Sequence, residues 1–421
     1  MYKKTTLKNG LRIITVPSKN TKSMTVLVLI GTGSKYEKKE INGISHFLEH
    51  MYFKGTKKRP SSLAVAESLD KLGGMYNAFT SEEYTGYYAK VAAPHWEIAL
   101  EWVSDIFLNS LLPAEEIEKE KGVIIEEINM FYDHPMSYVN ILWSELLYGD
   151  QPAGWSVSGT KETVNQINRV KLVDYLTKQY VASNTIVCFS GNINEKEIIK
   201  KAEEYFESIG VGQFDLKEKV IEKQTVPQSL ISYRKTDQTH LCLGVRAYNL
   251  FHPDKYALEI MAVILGGMMS SRLFEEVRTK LGLAYYIQTA SVSDPDTGFL
   301  VTQIGADNNN VEKAISAILE HYNKLTQEEV PAAELTKAKE YIKGKASLQL
   351  EASDVLASFY AGQELLEKKV LSPEEIFKKV DKVSSGDILK VAKDIFRPEK
   401  LNMALIGPFE DKEKFNQILK L

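Results

Sequence analysis

Apolar and polar residues alternate from the start of the chain, through MYKKTTLKNGLRIITV, with Asn9-Gly10 between the two alternating stretches. Alternation of period two on both sides of an Asn-Gly pair predicts a β-hairpin. Thr85-Gly86-Tyr87-Tyr88 and Thr297-Gly298-Phe299-Leu300 also read as extended. A helical pattern follows each of them, one from Pro113-Ala114-Glu115-Glu116 to about Tyr132, the other from Pro331-Ala332-Ala333-Glu334 onward. Asn184 to Gly191 and Leu401 to Gly407 each predict a buried strand and a glycine turn leading into an amphipathic helix.

These segments pair off at separations of about 212 to about 218 positions, so the chain repeats itself. Neither copy shows the strict strand–helix alternation of a doubly wound parallel sheet. The expected fold is α+β, with two homologous domains, each a largely antiparallel sheet with helices packed on one face. The lysine- and glutamate-rich stretch 213–228 reads as a linker between an N-terminal domain, 1–212, and a C-terminal domain, 229–421.

A content of 44% hydrophobic and 26% charged residues in 421 is that of a globular protein. The net charge of -4 gives no footprint for nucleic acid or an anionic membrane. The amino terminus lacks the apolar run of a signal peptide, and the longest apolar stretch, Ala257 to Met269, falls short of a membrane span. Cys188 and Cys242 lie in apolar, strand-like runs and read as buried free thiols. A soluble, cytoplasmic protein with no membrane partner is expected.

The chemistry concentrates in His46-Phe47-Leu48-Glu49-His50, which reads as helix. With seven histidines in the chain, a chance HxxEH occurs in only roughly one chain in a hundred. Residues four apart share a helix face, so both imidazoles can reach one Zn²⁺, with Glu49 beside its open side. This is the inverted order of HExxH. In the second copy Leu258, Met261 and Ala262 take the places of His46, Glu49 and His50, leaving no metal-binding side chain. Catalytic zinc needs a third ligand, and the helix from Pro113 offers Glu120 and Glu127, which share a face across an apolar stretch, Val123-Ile124-Ile125, expected to be buried. Glu126 competes with Glu127 on spacing alone. The second copy has Ala338 and Lys345 at the places of Glu120 and Glu127.

The run from His46 to Thr56 (HFLEHMYFKGT), followed about 77 residues after His50 by Glu127 in EKGVIIEE, resembles the inverted-zincin peptidases of the pitrilysin and mitochondrial-processing-peptidase family. The likeness covers essentially the whole chain, including the duplication and the opening LKNGLRII. It implies that His46, His50 and Glu127 bind one Zn²⁺ per chain, that Glu49 is the general base, and that Glu120 supports the site from behind the ligands. It implies that Asn77, Ala78, Phe79 and Thr80, in LGGMYNAFT, lie on an edge strand that pairs with an extended peptide substrate. It further implies that Arg278 binds a substrate carbonyl and Tyr285 donates to the oxyanion, the two halves closing over a shared cavity within one chain or between two. The expected protein is a zinc endopeptidase of short or unfolded peptides, working in an enclosed chamber as a homodimer. The rivals are a non-catalytic peptide-binding or scaffold subunit of the same fold, or a member active only with a different partner chain. A purely structural zinc site, usually of four ligands rich in cysteine, fits less well.

Overall fold

In the computed structural model, which describes residues 2–421, the chain forms two compact units. The first takes the chain up to Asn129, then Trp155–Glu218 and Ser347–Ser372; the second takes Met130–Gly154, Lys219–Ala346 and Pro373–Leu421.

In the first unit, β1 (Lys3–Thr6), β2 (Arg12–Pro17), β3 (Ser23–Ile30), β4 (Met75–Thr80), β5 (Thr85–Ala92) and β6 (Thr185–Gly191) form one sheet in the order β1-β2-β6-β3-β5-β4. Only β2 and β6 run parallel. The expected hairpin is β1–β2, with Gly10 at φ +92° and Lys3 opposite Thr15. The central strand β3, SMTVLVLI, shows little polar alternation, because both of its faces are covered. Met24, Val26, Val28 and Ile30 enter the main core with Phe47, Leu48 and Trp102. Leu27 and Leu29 face the other way, against Ala357, Tyr360, Ala361 and Leu365 of helix Ser353–Leu366.

In the second unit, β7 (Gln228–Tyr233), β8 (Gln238–Arg246), β9 (Ala284–Ser293), β10 (Gly298–Asp307) and β11 (Leu401–Gly407) form a sheet in the order β7-β11-β8-β10-β9, with only β7 and β11 parallel. Its main core holds Leu258, Met261 and Ala262, the counterparts of the histidine motif. Its other face packs Cys242, Ala404 and Ile406 on Val139, Leu142 and Trp143 of helix Pro135–Tyr148.

The protein is thus a duplicated α+β structure whose helices crowd one face of each sheet, with a single long helix on the other face. These two outer helices occupy equivalent places in the repeat, about 218 positions apart. Each packs on the sheet of the opposite half of the sequence. The linear domains 1–212 and 229–421 therefore differ from the contact units: 130–154 join the second unit and 347–372 the first. The passage between units at Glu218 and Lys219 falls within the expected linker 213–228. Periodicity marks a helix as amphipathic but is silent on which sheet receives its apolar stripe. Both cysteines are fully buried, which raises their thiol pKa values. Among the described residues no helix is long and apolar enough to cross a membrane.

The exchange makes the outer helices part of the cores they cover. Trp143→Ala should destabilise the second unit by about 3–5 kcal/mol in denaturant unfolding. A loss below about 1 kcal/mol would mean that helix Pro135–Tyr148 is not held there.

Candidate metal centre

The motif helix, Ile44–Met51, is only eight residues long and is held by burial of Ile44, Phe47, Leu48 and Met51, each fully enclosed. With these side chains inside, His46, Glu49 and His50 turn together toward the helix Ala114–Asp133. That helix buries Ile117, Glu120 and Ile124 along one stripe and presents Glu127 a turn further on. Of the apolar triplet expected to be buried, only Ile124 is; Val123 is 51% exposed, because the stripe carrying Glu120, Ile124 and Glu127 turns it outward. The same geometry separates the two candidate carboxylates. Glu126 is exposed, whereas Glu127 Oε2 lies 3.6 Å from His46 Nε2 and 3.5 Å from His50 Nε2.

The two imidazole nitrogens are themselves 3.3 Å apart. His46, His50 and Glu127 are the one group among the described residues whose ligand atoms converge in this way. Ligands held tetrahedrally at about 2.0–2.1 Å from Zn²⁺ stand about 3.3 Å from one another, so the triangle has the edge lengths that the ion needs. The donor set, two imidazoles and a carboxylate, is one that zinc takes in catalytic sites. The residues therefore fit a zinc ion.

The electrostatics point the same way. Burial, and then the neighbouring His50, push His46 down to about 4, so this ring is neutral and ready to donate a lone pair. Burial works against charge on His50 too, but Glu120 and Glu127 outweigh it and push His50 up to about 9. In the absence of metal a proton on His50 satisfies the carboxylates, and a cation takes over that task when it binds.

Around the triangle stands a supporting layer. His50 Nδ1 bonds Glu120 Oε1 at 2.8 Å, and Lys54 Nζ holds Glu120 Oε2 at 2.5 Å. Since Glu120 is an acceptor, Nδ1 carries the hydrogen and Nε2 is left to face the triangle. Burial works against the charged Glu120, yet His50 and Lys54 hold its pKa below the ordinary range. Glu49 Oε2 accepts a 2.6 Å hydrogen bond from Thr80 Oγ1. Burial raises the Glu49 pKa, and the Thr80 hydroxyl opposes that rise.

Asn77, Ala78, Phe79 and Thr80 all lie on β4, an edge strand paired only with β5. Ala78 faces the main core and Thr80 the motif helix, while Phe79 packs toward the opposite face, over Gly86. Asn77 is exposed, and its Oδ1 accepts the Ala78 N–H at 2.9 Å. Arg278 and Tyr285 belong to the second unit. Arg278 sits on a π-helical turn, Phe274–Lys280, with its guanidinium 4.6 Å from the Phe274 ring centroid, and Tyr285 is an exposed residue at the start of β9. Sequence reasoning missed Lys54 as a partner of Glu120 and the Thr80 hydroxyl as a partner of Glu49. Lys54 follows His50 by four residues, a spacing that marks it as a neighbour. Nothing in the sequence pairs Thr80 with Glu49.

Residues 12–161 match the model of the Insulinase family (Peptidase family M16), and residues 166–342 match that of the Peptidase M16 inactive domain. The chain is 37% identical over 411 residues to the "uncharacterized zinc protease YmxG" of Bacillus subtilis, covering 97% of this chain and 98% of that one. It is 31% identical over 424 residues to an "uncharacterized zinc protease" of Streptomyces coelicolor, covering 98% and 90%. A solved protease from Helicobacter pylori shares the fold with a TM-score of 0.90 at 24% identity, over 97% of this chain and 99% of that one.

The supporting layer makes a quantitative prediction. Glu120→Gln should weaken zinc binding about 10–100-fold in competition with a chromophoric chelator, because the amide orients and polarises His50 less well. Unchanged affinity would detach Glu120 from the centre.

Proposed function

The chain belongs to the insulinase family, peptidase family M16, and on that premise we propose that it is a zinc-dependent endopeptidase acting on short or unfolded peptides. The observation that carries the reading is the ligand triangle of His46, His50 and Glu127 with Glu49 beside it on the same helix. The zinc-protease names of its relatives support the same chemistry. A single cluster among the described residues supports one Zn²⁺ per chain. A homodimer, as the sequence resemblance implies, and a cytoplasmic location, as the sequence composition suggests, complete the proposal.

Bound by these ligands, Zn²⁺ supplies Lewis acidity to the scissile carbonyl and to the attacking water. The protein's own groups do the rest. Glu49 takes the water's proton and delivers it to the leaving amine. Thr80 engages Glu49 Oε2, so Oε1 is the oxygen free to receive that proton. The raised Glu49 pKa suits it to both halves of the transfer, since a base that is too weak cannot take the proton. Glu120, fixed by Lys54, keeps His50 in the tautomer that faces the ligand triangle.

The free edge of β4 suits an extended peptide, because backbone pairing recognises chain conformation more than sequence. Folded proteins keep most of their backbone in their own hydrogen bonds, which favours unfolded or short substrates. Arg278 and Tyr285 enter the proposal on their chemistry: a guanidinium suited to a substrate carbonyl and a phenol suited to donate to a developing oxyanion.

Two substitutions test the roles. Glu49→Gln should retain its zinc and lose about a hundredfold to ten-thousandfold in kcat on a quenched unstructured peptide; wild-type turnover in that variant would remove Glu49 from the mechanism. Tyr285→Phe should lower kcat about a hundredfold with little change in KM. An unchanged kcat would take the phenol out of the reaction.

A further inference from the structure

An eight-residue helix is too short to be stable by itself, and its first N–H groups need acceptors from outside. A side-chain cap at the start of the motif helix is ruled out. The N-cap is Gly43, at φ +94°, and a Cβ there would come within 2.7 Å of the Ser158 carbonyl oxygen. Serine, threonine, aspartate and asparagine, the usual caps, are therefore excluded from that position.

The acceptor comes instead from Glu37. Its Oε2 accepts hydrogen bonds from Gly43 N at 2.7 Å and Asn42 Nδ2 at 2.9 Å, and its Oε1 accepts from Ser45 N at 2.8 Å. The residue is buried, 3% exposed. Both oxygens are thus committed to the segment that begins the helix, one residue before His46. Burial pushes the Glu37 pKa up to about 7, and the donors on Ser45, Gly43 and Asn42 oppose that rise, favouring the carboxylate form that complements the helix dipole. Ser45 is pinned a second time, its hydroxyl bonding Tyr175 OH at 2.8 Å, which bonds Thr32 Oγ1 at 2.7 Å.

The other end of this segment is fastened to the substrate strand's hairpin. Gly33 packs so closely on the loop between β4 and β5 that a Cβ would meet the Ser81 carbonyl at 2.1 Å. Ser34 N bonds Ser81 O at 3.2 Å, Lys35 N bonds Glu82 O at 3.0 Å, and Lys35 Nζ pairs with the buried Glu83 at 3.1 Å. Residues 33–37 therefore form a short brace with one foot on the β4–β5 hairpin and the other on the first turn of the motif helix. Thr80 and Glu49 meet across the gap that this brace spans.

We propose that Glu37 is a positioning residue of the metal centre: through the backbone of Gly43 and Ser45 it fixes the height and rotation of the motif helix against β4. It thereby sets the ligand triangle and the Glu49–Thr80 contact together. This rests on the metallopeptidase reading of the site. The demand on the side chain is specific, because all three partners donate. The isosteric Glu37→Gln presents an NH₂ group to one set of these donors, whereas Glu37→Asp keeps two acceptor oxygens on a shorter arm.

The test uses the full chain, with zinc affinity read by chelator competition and ligand geometry read from the visible spectrum of the Co²⁺-loaded protein. Glu37→Gln should bind zinc about tenfold more weakly, shift the Co²⁺ bands and lower kcat more than it raises KM, and Glu37→Asp should recover most of each. Wild-type zinc affinity and an unchanged Co²⁺ spectrum in Glu37→Gln would overturn the proposal. So would loss of the folded first unit, by circular dichroism, in the Gln and Asp variants alike, which would assign Glu37 to folding alone. Failure of the wild-type protein to bind zinc would instead overturn the reading of the site itself.

Discussion

Two imidazole nitrogens and a carboxylate oxygen brought within 3.3–3.6 Å of one another form an arrangement that a protein does not hold without reason. Their lone pairs converge and repel unless a proton or a metal ion stands between them. The rest of the first unit serves to keep that arrangement together. The motif helix is pressed into the core by four apolar side chains, and the helix Ala114–Asp133 is seated by Ile117 and Ile124. Burial of His46 keeps it neutral, while two carboxylates draw positive charge to His50. The same groups that favour a proton on His50 favour a divalent cation more strongly.

Precision at such a site comes from the layer behind it. Lys54 fixes Glu120, Glu120 fixes the His50 ring, and Thr80 fixes Glu49. Thr80 lies on the edge strand proposed to receive the peptide, so the residue that orients the base and the proposed substrate-binding backbone share one element. The brace at residues 33–37 joins that element's hairpin to the motif helix. A helix of eight residues is thus tied by hydrogen bonds to the hairpin of the sheet beside it.

Much of this was legible in the sequence. Alternation around Asn9-Gly10 located the first hairpin, and the duplication located both sheets. HxxEH, with its loss in the second copy, pointed to the histidines that the structure brings together with Glu127, and the shared face of Glu120 and Glu127 pointed to the acidic helix's side of that cluster. What stayed hidden depends on tertiary placement. Spacing left Glu126 and Glu127 open, and the rotation of the buried stripe on Ile124 decides between them. The same rotation exposes Val123. The exchange of helices Pro135–Tyr148 and Ser353–Leu366 was illegible because an amphipathic stripe does not name the sheet that receives it. Glu37 was hidden for a similar reason. Its partners are backbone N–H groups, and a sequence does not show which side chain reaches them.

The most direct test of the central claim is hydrolysis of a quenched unstructured peptide by the purified protein, measured as isolated, after chelation, and after zinc is returned. The account predicts cleavage that disappears with the chelator and returns with about one zinc per chain. Cleavage that survives complete removal of the metal, or none from the zinc-loaded protein over a varied peptide set, would contradict it.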